Sequence, residues 1–195
     1  MYELILQNVS RHISLTEEEK EHFLSLLQPR KLRRHQYLVQ AGDPCRYECF
    51  VNSGIVRQYY LDNKGTEHIA MFGMPDWWVS DMFGLVTGRA SLTNIDALTD
   101  CEVLLIERTA YEQLMLDIPK FERFFRILLQ RAYINQQQRI IEGISLPADE
   151  RYLIFTERYP ALEQALPLRH IASYLGITPE SLSRIRRQRA SRQGG

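Results

Sequence analysis

The chain has 195 residues, enough for one large or two small domains. Hydrophobic residues make up 45% and charged residues 25%, the balance of an ordinary globular chain, and no apolar run approaches the ~20 residues of a membrane span. Lys plus Arg and Asp plus Glu each number 24, so the zero net charge neither supports nor excludes nucleic-acid binding, which needs a local basic face and not a basic total.

Residues 1–10 carry no basic patch followed by an apolar run, so secretion is not expected and the cytoplasm is the expected location. Cys45, Cys49 and Cys101 are an odd number and suggest no disulfide framework. The C-x3-C spacing of the first two is followed by no His pair at zinc-finger spacing. The histidines (His12, His22, His35, His68, His170) are scattered, so no metal and no cofactor are expected.

In chain order, residues 14–28 read as a short helix. Thr16 is a good N-cap, Glu17 to Glu19 suit the positive first turn, Phe23, Leu26 and Leu27 form an apolar stripe, and Pro29 is the expected stop. From about residue 33 to 107 short β-rich runs alternate with turn signals: 36–40, 48–51, 55–61, 67–72, 92–98 and 102–107. Asp62-Asn63-Lys64-Gly65 is a good hairpin turn, because Asn and Gly tolerate positive φ. Closely spaced short strands of this kind suggest a small antiparallel roll or barrel. Residues 108–116 read as a short helix and 119–144 as a long one, about 35–40 Å at 1.5 Å per residue. Its apolar residues, from Phe121 to Ile141, spread wider than one small roll can cover, so a second copy of the helix is the expected partner and the chain is expected to be a homodimer. Pro147 after Gly143 marks a boundary and a natural hinge. Helices are expected at about 148–158, 168–175 and 179–189. The expected organisation is a sensor-like β-roll at 1–118, a dimerisation helix at 119–145 and a helical domain at 146–195.

The segment at about 167–189 has the make-up of a helix-turn-helix. Ile171 and Leu175 lie four apart on one face, and Ala172 is small where two helices must approach. Gly176 follows directly, where the chain needs the left-handed conformation that Gly adopts cheaply. Ile177 plugs the turn, Thr178 is a good N-cap and Pro179 suits the first helical position. Leu182 and Ile185 pack back on the first helix, leaving Glu180, Ser181, Ser183, Arg184 and Arg187 facing outward, toward a major groove. Charge is segregated here: from Leu168 onward the basic residues are Arg169, Arg184, Arg186, Arg187, Arg189 and Arg192, against one acid, Glu180. Arg184 can pair bidentately with guanine O6 and N7, and Glu180 can accept from cytosine N4. Ser181, Arg169 and Arg187 suit phosphates, and Thr178 and Ser183 are expected in the same DNA-binding set. The expected partner is double-stranded DNA.

A β-roll, a long helix and a helix-turn-helix together resemble the Crp/Fnr family of bacterial transcription regulators, over about residues 10–190. The fold class expected is α+β, with a cyclic-nucleotide-binding-like roll. The resemblance is clearest at 176–185, where the family's recognition helix carries an acid and an arginine at Glu180 and Arg184. An arginine usual before that acid is Pro179 here, which implies a different operator. Residues 78–106 resemble the family's cyclic-nucleotide phosphate cassette, in degraded form. Its glycine corresponds to Ser80, its glutamate to Asp81, its arginine to Ser91 and the next serine to Leu92. By the resemblance, the glutamate holds a ribose hydroxyl and the arginine neutralises the cyclic phosphate. Asp81 partly replaces the first; uncharged Ser91 cannot replace the second, and a buried phosphate with no cation is very costly. Arg89 lies two residues away but need not point inward.

No tight cyclic AMP binding is therefore expected. The family's oxygen-sensing branch uses an N-terminal cysteine cluster; no cysteine precedes Cys45, and three cysteines cannot supply four thiolates. Any effector is unidentified. A small-molecule site between roll and long helix would involve Trp77, Trp78, Ser80, Asp81, Met82, Arg89, Ser91, Leu92 and Gln136. The competing reading is a ligand-binding roll whose helical tail contacts protein. An enzyme is not expected, since no paired carboxylates, nucleophile–His set or metal triad has persuasive spacing. The resemblance implies an inverted-repeat operator and RNA polymerase as a further partner.

Overall fold

The computed structural model describes residues 1–193, with side chains through residue 191, so the expected basic side chain of Arg192 lies outside the described residues. Helix α1 (Glu3–Ser10) buries Ile5 and Val9, four residues apart on one face. Helix α2 (Glu17–Ser25) opens with a reciprocal capping box: the Thr16 hydroxyl accepts from Glu19 N–H at 3.2 Å, and the Glu19 carboxylate accepts from Thr16 N–H at 2.7 Å.

The helix expected through residue 28 ends at Ser25, and Pro29 is not its stop. Leu27–Leu32 is strand β1, with Pro29 opposite Leu104. β1 is an edge strand, where a residue without an N–H can sit on the side that has no ladder partner.

The strands that follow are β2 (Tyr37–Val39), β3 (Tyr47–Ser53), β4 (Val56–Leu61), β5 (Glu67–Gly73) and β6 (Trp78–Val79). After helix α3 (Met82–Thr87) come β7 (Asn94–Ala97) and β8 (Cys101–Glu107). They form two four-stranded sheets, ordered β1-β8-β3-β6 and β2-β7-β4-β5. The period-2 alternation of β8 shows how the first sheet is used. Cys101, Val103 and Leu105 join a core between the sheets, with Val51, Val56, Ile95 and Ala97. Leu104 and Ile106 face the other way, into a core shared with α1, α2, helix α4 (Arg108–Asp117) and the start of helix α5 (Lys120–Ser145). In that second core Phe121, Phe124 and Phe125 pack with Trp78, whose ring lies 5.8 and 5.5 Å from the last two, edge to face.

The packing divides the chain into two compact units. Among the described residues, one comprises residues 1–61 and 70–130; the other comprises 62–69 and 131–193. The second holds the remaining helices: α6 (Ala148–Arg158), α7 (Pro160–Ala165), α8 (Leu168–Leu175) and α9 (Pro179–Gln193). Helix α7 has no counterpart in the sequence reading; six residues are too few for a period to show. None of the helices is long and apolar enough to cross a membrane, among the described residues.

Within the second sheet, Arg57 and Asp96 sit opposite each other on β4 and β7, 5% and 3% exposed. Arg57 donates to both carboxylate oxygens, at 2.7 and 3.0 Å, and its guanidinium lies 4.2 Å from the Tyr59 ring. A bidentate pair this buried is costly to break on one side only. Arg57→Met is expected to destabilise the chain by about 3–5 kcal/mol. Replacing Asp96 by Leu as well is expected to recover most of that loss. Urea unfolding followed by tryptophan fluorescence checks both; equal losses in the single and double variants would contradict the role of the pair.

Candidate nucleic-acid interface and ligand cassette

Helix α8 buries Ile171, Ala172 and Leu175. Gly176 then takes the left-handed conformation, φ +66°, and the turn closes with Gly176 N–H on Ser173 O at 3.1 Å and Ile177 N–H on Ala172 O at 3.0 Å. An added Cβ at Gly176 would meet nothing closer than 3.9 Å, so the position needs glycine for its backbone and not for space. The Thr178 hydroxyl accepts from Ser181 N–H at 3.2 Å, capping α9, and Pro179 occupies the first helical position. Leu182 is fully buried where α9 packs on α6 and α8.

That seat fixes which side chains point away. Thr178, Glu180, Arg184 and Arg187 are exposed, and Ser181 and Ser183 are half-buried between them. The Thr178 hydroxyl and Arg184 both donate to Ser181 Oγ, at 3.1 and 3.4 Å, and Arg187 reaches Ser183 O at 3.4 Å. Hydrogen bonds from its own backbone N–H and from the Thr178 side chain hold the Glu180 carboxyl below its ordinary range, so at neutral pH it is an acceptor. Arg169 is exposed in the first turn of α8.

Two arginines of the basic segment turn the other way. Arg186 pairs with Glu163 of α7 at 3.5 Å, and the Arg189 guanidinium lies 5.6 Å from the ring of Tyr152, whose hydroxyl donates to Glu163 at 2.9 Å. The sequence reading did not separate these inward arginines from the outward ones, because the partner of Arg186 lies on α7, which left no periodic signal, and the Tyr152 contact of Arg189 is made only by tertiary packing.

The cassette residues flank α3, Ser80 and Asp81 before it and Arg89, Ser91 and Leu92 after it. Asp81 is buried; its Oδ2 accepts from Leu92 N–H at 3.2 Å. Ser91 is 3% exposed, and its Oγ has no hydrogen-bond partner. Gly84 packs so closely on this corner that an added Cβ would lie 2.9 Å from Cys45 Cβ and 3.1 Å from Ser91 Oγ. Leu92 is 58% exposed. Arg89 is exposed, its guanidinium 5.6 Å from the Phe83 ring centroid. Trp78 and half-buried Met82 are packed against the cores of the first unit, while Gln136 belongs to the second. There, Gln136 lines a cavity of about 370 Å³ with Arg139, Arg151, Arg158 and Tyr174. Sequence reasoning named none of those four.

Ser80 donates to Met82 Sδ at 3.1 Å, and Oε2 of Glu48 on β3 is buried with no hydrogen-bond partner. Glu48 is 5% exposed, and burial pushes its carboxyl up to about 7. The sequence reading placed Glu48 in a strand and saw no more, since burial of a lone acid on the helix-covered face of β3 follows from tertiary packing.

The match to the cyclic nucleotide-binding domain family covers residues 29–117. The chain is 25% identical over 184 residues to an anaerobic regulatory protein of Pasteurella multocida, covering 88% of this chain and 67% of that one. It is 26% identical over 188 residues to the transcriptional activator protein Anr of Pseudomonas aeruginosa, covering 89% and 75%. Among solved structures, FixK2 from Bradyrhizobium japonicum superposes with a TM-score of 0.74 at 21% identity, covering 86% of each chain. CLP of Xanthomonas campestris, a c-di-GMP-responsive global regulator, gives 0.74 at 16% identity, covering 91% and 93%. A nucleotide-binding-like roll followed by a capped helix-turn-helix defines a class: residues 29–117 match the cyclic nucleotide-binding domain family, and over most of its length the chain is similar to bacterial transcription regulators.

Glu48 gives the interface-independent part of the molecule a pH signature. Its folded value, about 7, lies above the ordinary 4.5, so the folded state binds the proton more tightly than the unfolded chain. The associated stability is complete below about 4.5 and is lost as pH rises through about 7. Glu48→Gln is expected to flatten stability over this window and to be more stable than the parent at pH 8, as read by urea midpoints; parallel profiles for the two proteins would refute it.

Proposed function

We propose that the chain is a dimeric transcription regulator that reads an inverted-repeat operator with α9 in the major groove. The observation that carries this is the division of α9. Leu182, Arg186 and Arg189 are engaged on the inner side, and Thr178, Glu180, Ser181, Ser183, Arg184 and Arg187 line the outer side. An anionic and a cationic group one helical turn apart can address a C·G step, with Arg184 on guanine and Glu180 on cytosine, while Arg169 and Arg187 take phosphates.

The dimer is proposed through the long helix. Leu129, Tyr133, Ile134, Ile140, Ile141 and Ile144 are between 46% and 83% exposed, an apolar surface that a symmetry-related copy would bury. Two recognition helices would then face successive grooves about 34 Å apart. The chain acts in the cytoplasm, has RNA polymerase as a further partner and is not an enzyme.

The roll does not respond to cyclic AMP in this reading. The cassette corner offers the buried carboxylate of Asp81, uncharged Ser91 and the Gly84 contact, while Arg89 is exposed. Nothing there offsets the cost of burying a phosphate.

Selection from random duplexes at several salt concentrations tests the main reading. A palindrome should emerge, with affinity falling steeply as salt rises. Arg184→Ala should cost about 1–3 kcal/mol on the selected site and relax one base pair. If the parent and this variant bind every duplex alike, α9 is not the reading element. Calorimetry with cyclic AMP should register no micromolar binding; micromolar or tighter affinity would overturn the reading of the cassette.

A further inference from the structure

We infer that Ser173 and Arg139 are positioning residues for operator recognition, fastening α8 to the free edge of β5; the inference rests on α9 being the reading helix. β5 is an edge strand of its sheet. Its residues 67–69 belong to the same compact unit as the helices. An edge strand presents ladder groups with no neighbouring strand to meet them. Here helix side chains take that place. Ser173 Oγ donates to Glu67 O at 2.7 Å and accepts from Ile69 N–H at 3.0 Å, so a single hydroxyl bonds both groups that a neighbouring strand would use. Arg139 of α5 completes the clasp: one nitrogen donates to Ile69 O and to Tyr174 O, both at 2.9 Å, with the guanidinium 4.0 Å from the Tyr174 ring centroid. Ile69 itself is 2% exposed, so its backbone groups depend on protein partners.

The geometry is specific. Ser173 lies on the side of α8 away from Ile171 and Leu175, and Tyr174 O stands two residues before the Gly176 turn that launches α9. Two hydrogen bonds from Ser173, and one Arg139 nitrogen that bridges Ile69 O and Tyr174 O, fix α8 against strand backbone, which cannot adapt as a side chain can. Behind β5, the turn is held by Asp62. Its Oδ1 accepts from Lys64 and Thr66 N–H, its Oδ2 meets His68 Nε2 at 2.9 Å, and these bonds lower its carboxyl to about 2. The strand end that carries the clasp is thereby fixed as well. Neither residue touches DNA in the proposed docking; both act through the placement of α9.

The test compares Ser173→Ala, Ser173→Thr and Arg139→Lys in the full chain, on the operator chosen by selection. Ser173→Ala withdraws the partner of Ile69 N–H and is expected to weaken operator binding about tenfold. The slope of affinity against salt should stay that of the parent, because no phosphate contact is lost, whereas Arg187→Ala should lower it. Ser173→Thr keeps the hydroxyl and should restore binding. Arg139→Lys keeps the charge without the planar fork and should fall between. Should Ser173→Ala fail to fold, Arg139→Lys serves in its place on the same readouts. The inference is overturned if Ser173→Ala and Ser173→Thr bind alike, or if Ser173→Ala lowers the salt slope. If the parent selects no duplex, the reading of α9 has failed, and amide exchange at Ile69 decides the clasp: faster exchange in Ser173→Ala, restored in Ser173→Thr, upholds it, and unchanged exchange refutes it.

Discussion

Everything proposed for the C-terminal unit depends on the burial of Leu182. Helix α9 has 15 residues, most of them polar or charged, and such a helix has little reason of its own to pack. Leu182 is completely buried against α6 and α8, and half-buried Ile185 follows one turn later. With those two positions inside, the helical period leaves no choice about the outer face. The Glu163–Arg186 pair and the Tyr152–Arg189 stack add direction more than energy, since ion pairs this exposed contribute little. The polar outer face of α9 is thus set by one apolar anchor and the geometry of a helix.

The roll shows the same economy with a different outcome. β8 alternates between two cores, and the Gly84–Ser91–Cys45 corner is closed by direct packing. Gly84 lets the chain approach closely there, and uncharged Ser91 fills the corner with a buried hydroxyl. The fold persists because its stability comes from apolar alternation, and the buried Arg57–Asp96 pair satisfies itself; neither needs a ligand.

Much of this was legible in the sequence for physical reasons. The turn of the helix-turn-helix was readable because Gly176, Thr178 and Pro179 each satisfy a local backbone demand within four residues. The long helix was readable because 26 residues give a period time to show. The strands were readable from turn chemistry at Asp62–Gly65, where Gly65 indeed takes φ +78°. Helix α1, strand β1 and helix α7 were not. β1 carries Arg30, Lys31 and Pro29 on an edge, where no alternation is enforced, so its residues read as a continuation of α2 and its stop. Among the site residues, Glu180 and Arg184 follow from helix phase, while Ser173 and Arg139 bond backbone groups of a strand 104 and 70 residues away in sequence, which no local pattern encodes.

That last contrast says where information about this molecule resides. Residues that read a base must project from a rigid element, so their spacing is a local, periodic signal. Residues that hold the element in place answer to whatever backbone lies opposite, and their identity is set by an unpaired N–H or C=O elsewhere. Ser173 is a modest residue by sequence, a small polar side chain on a helix. Beside the open edge of β5 it bonds a donor and an acceptor at once, which alanine cannot do. In the proposed reading, the placement of α9 thus answers to strand residues 67–69, which belong to the same compact unit as the helices.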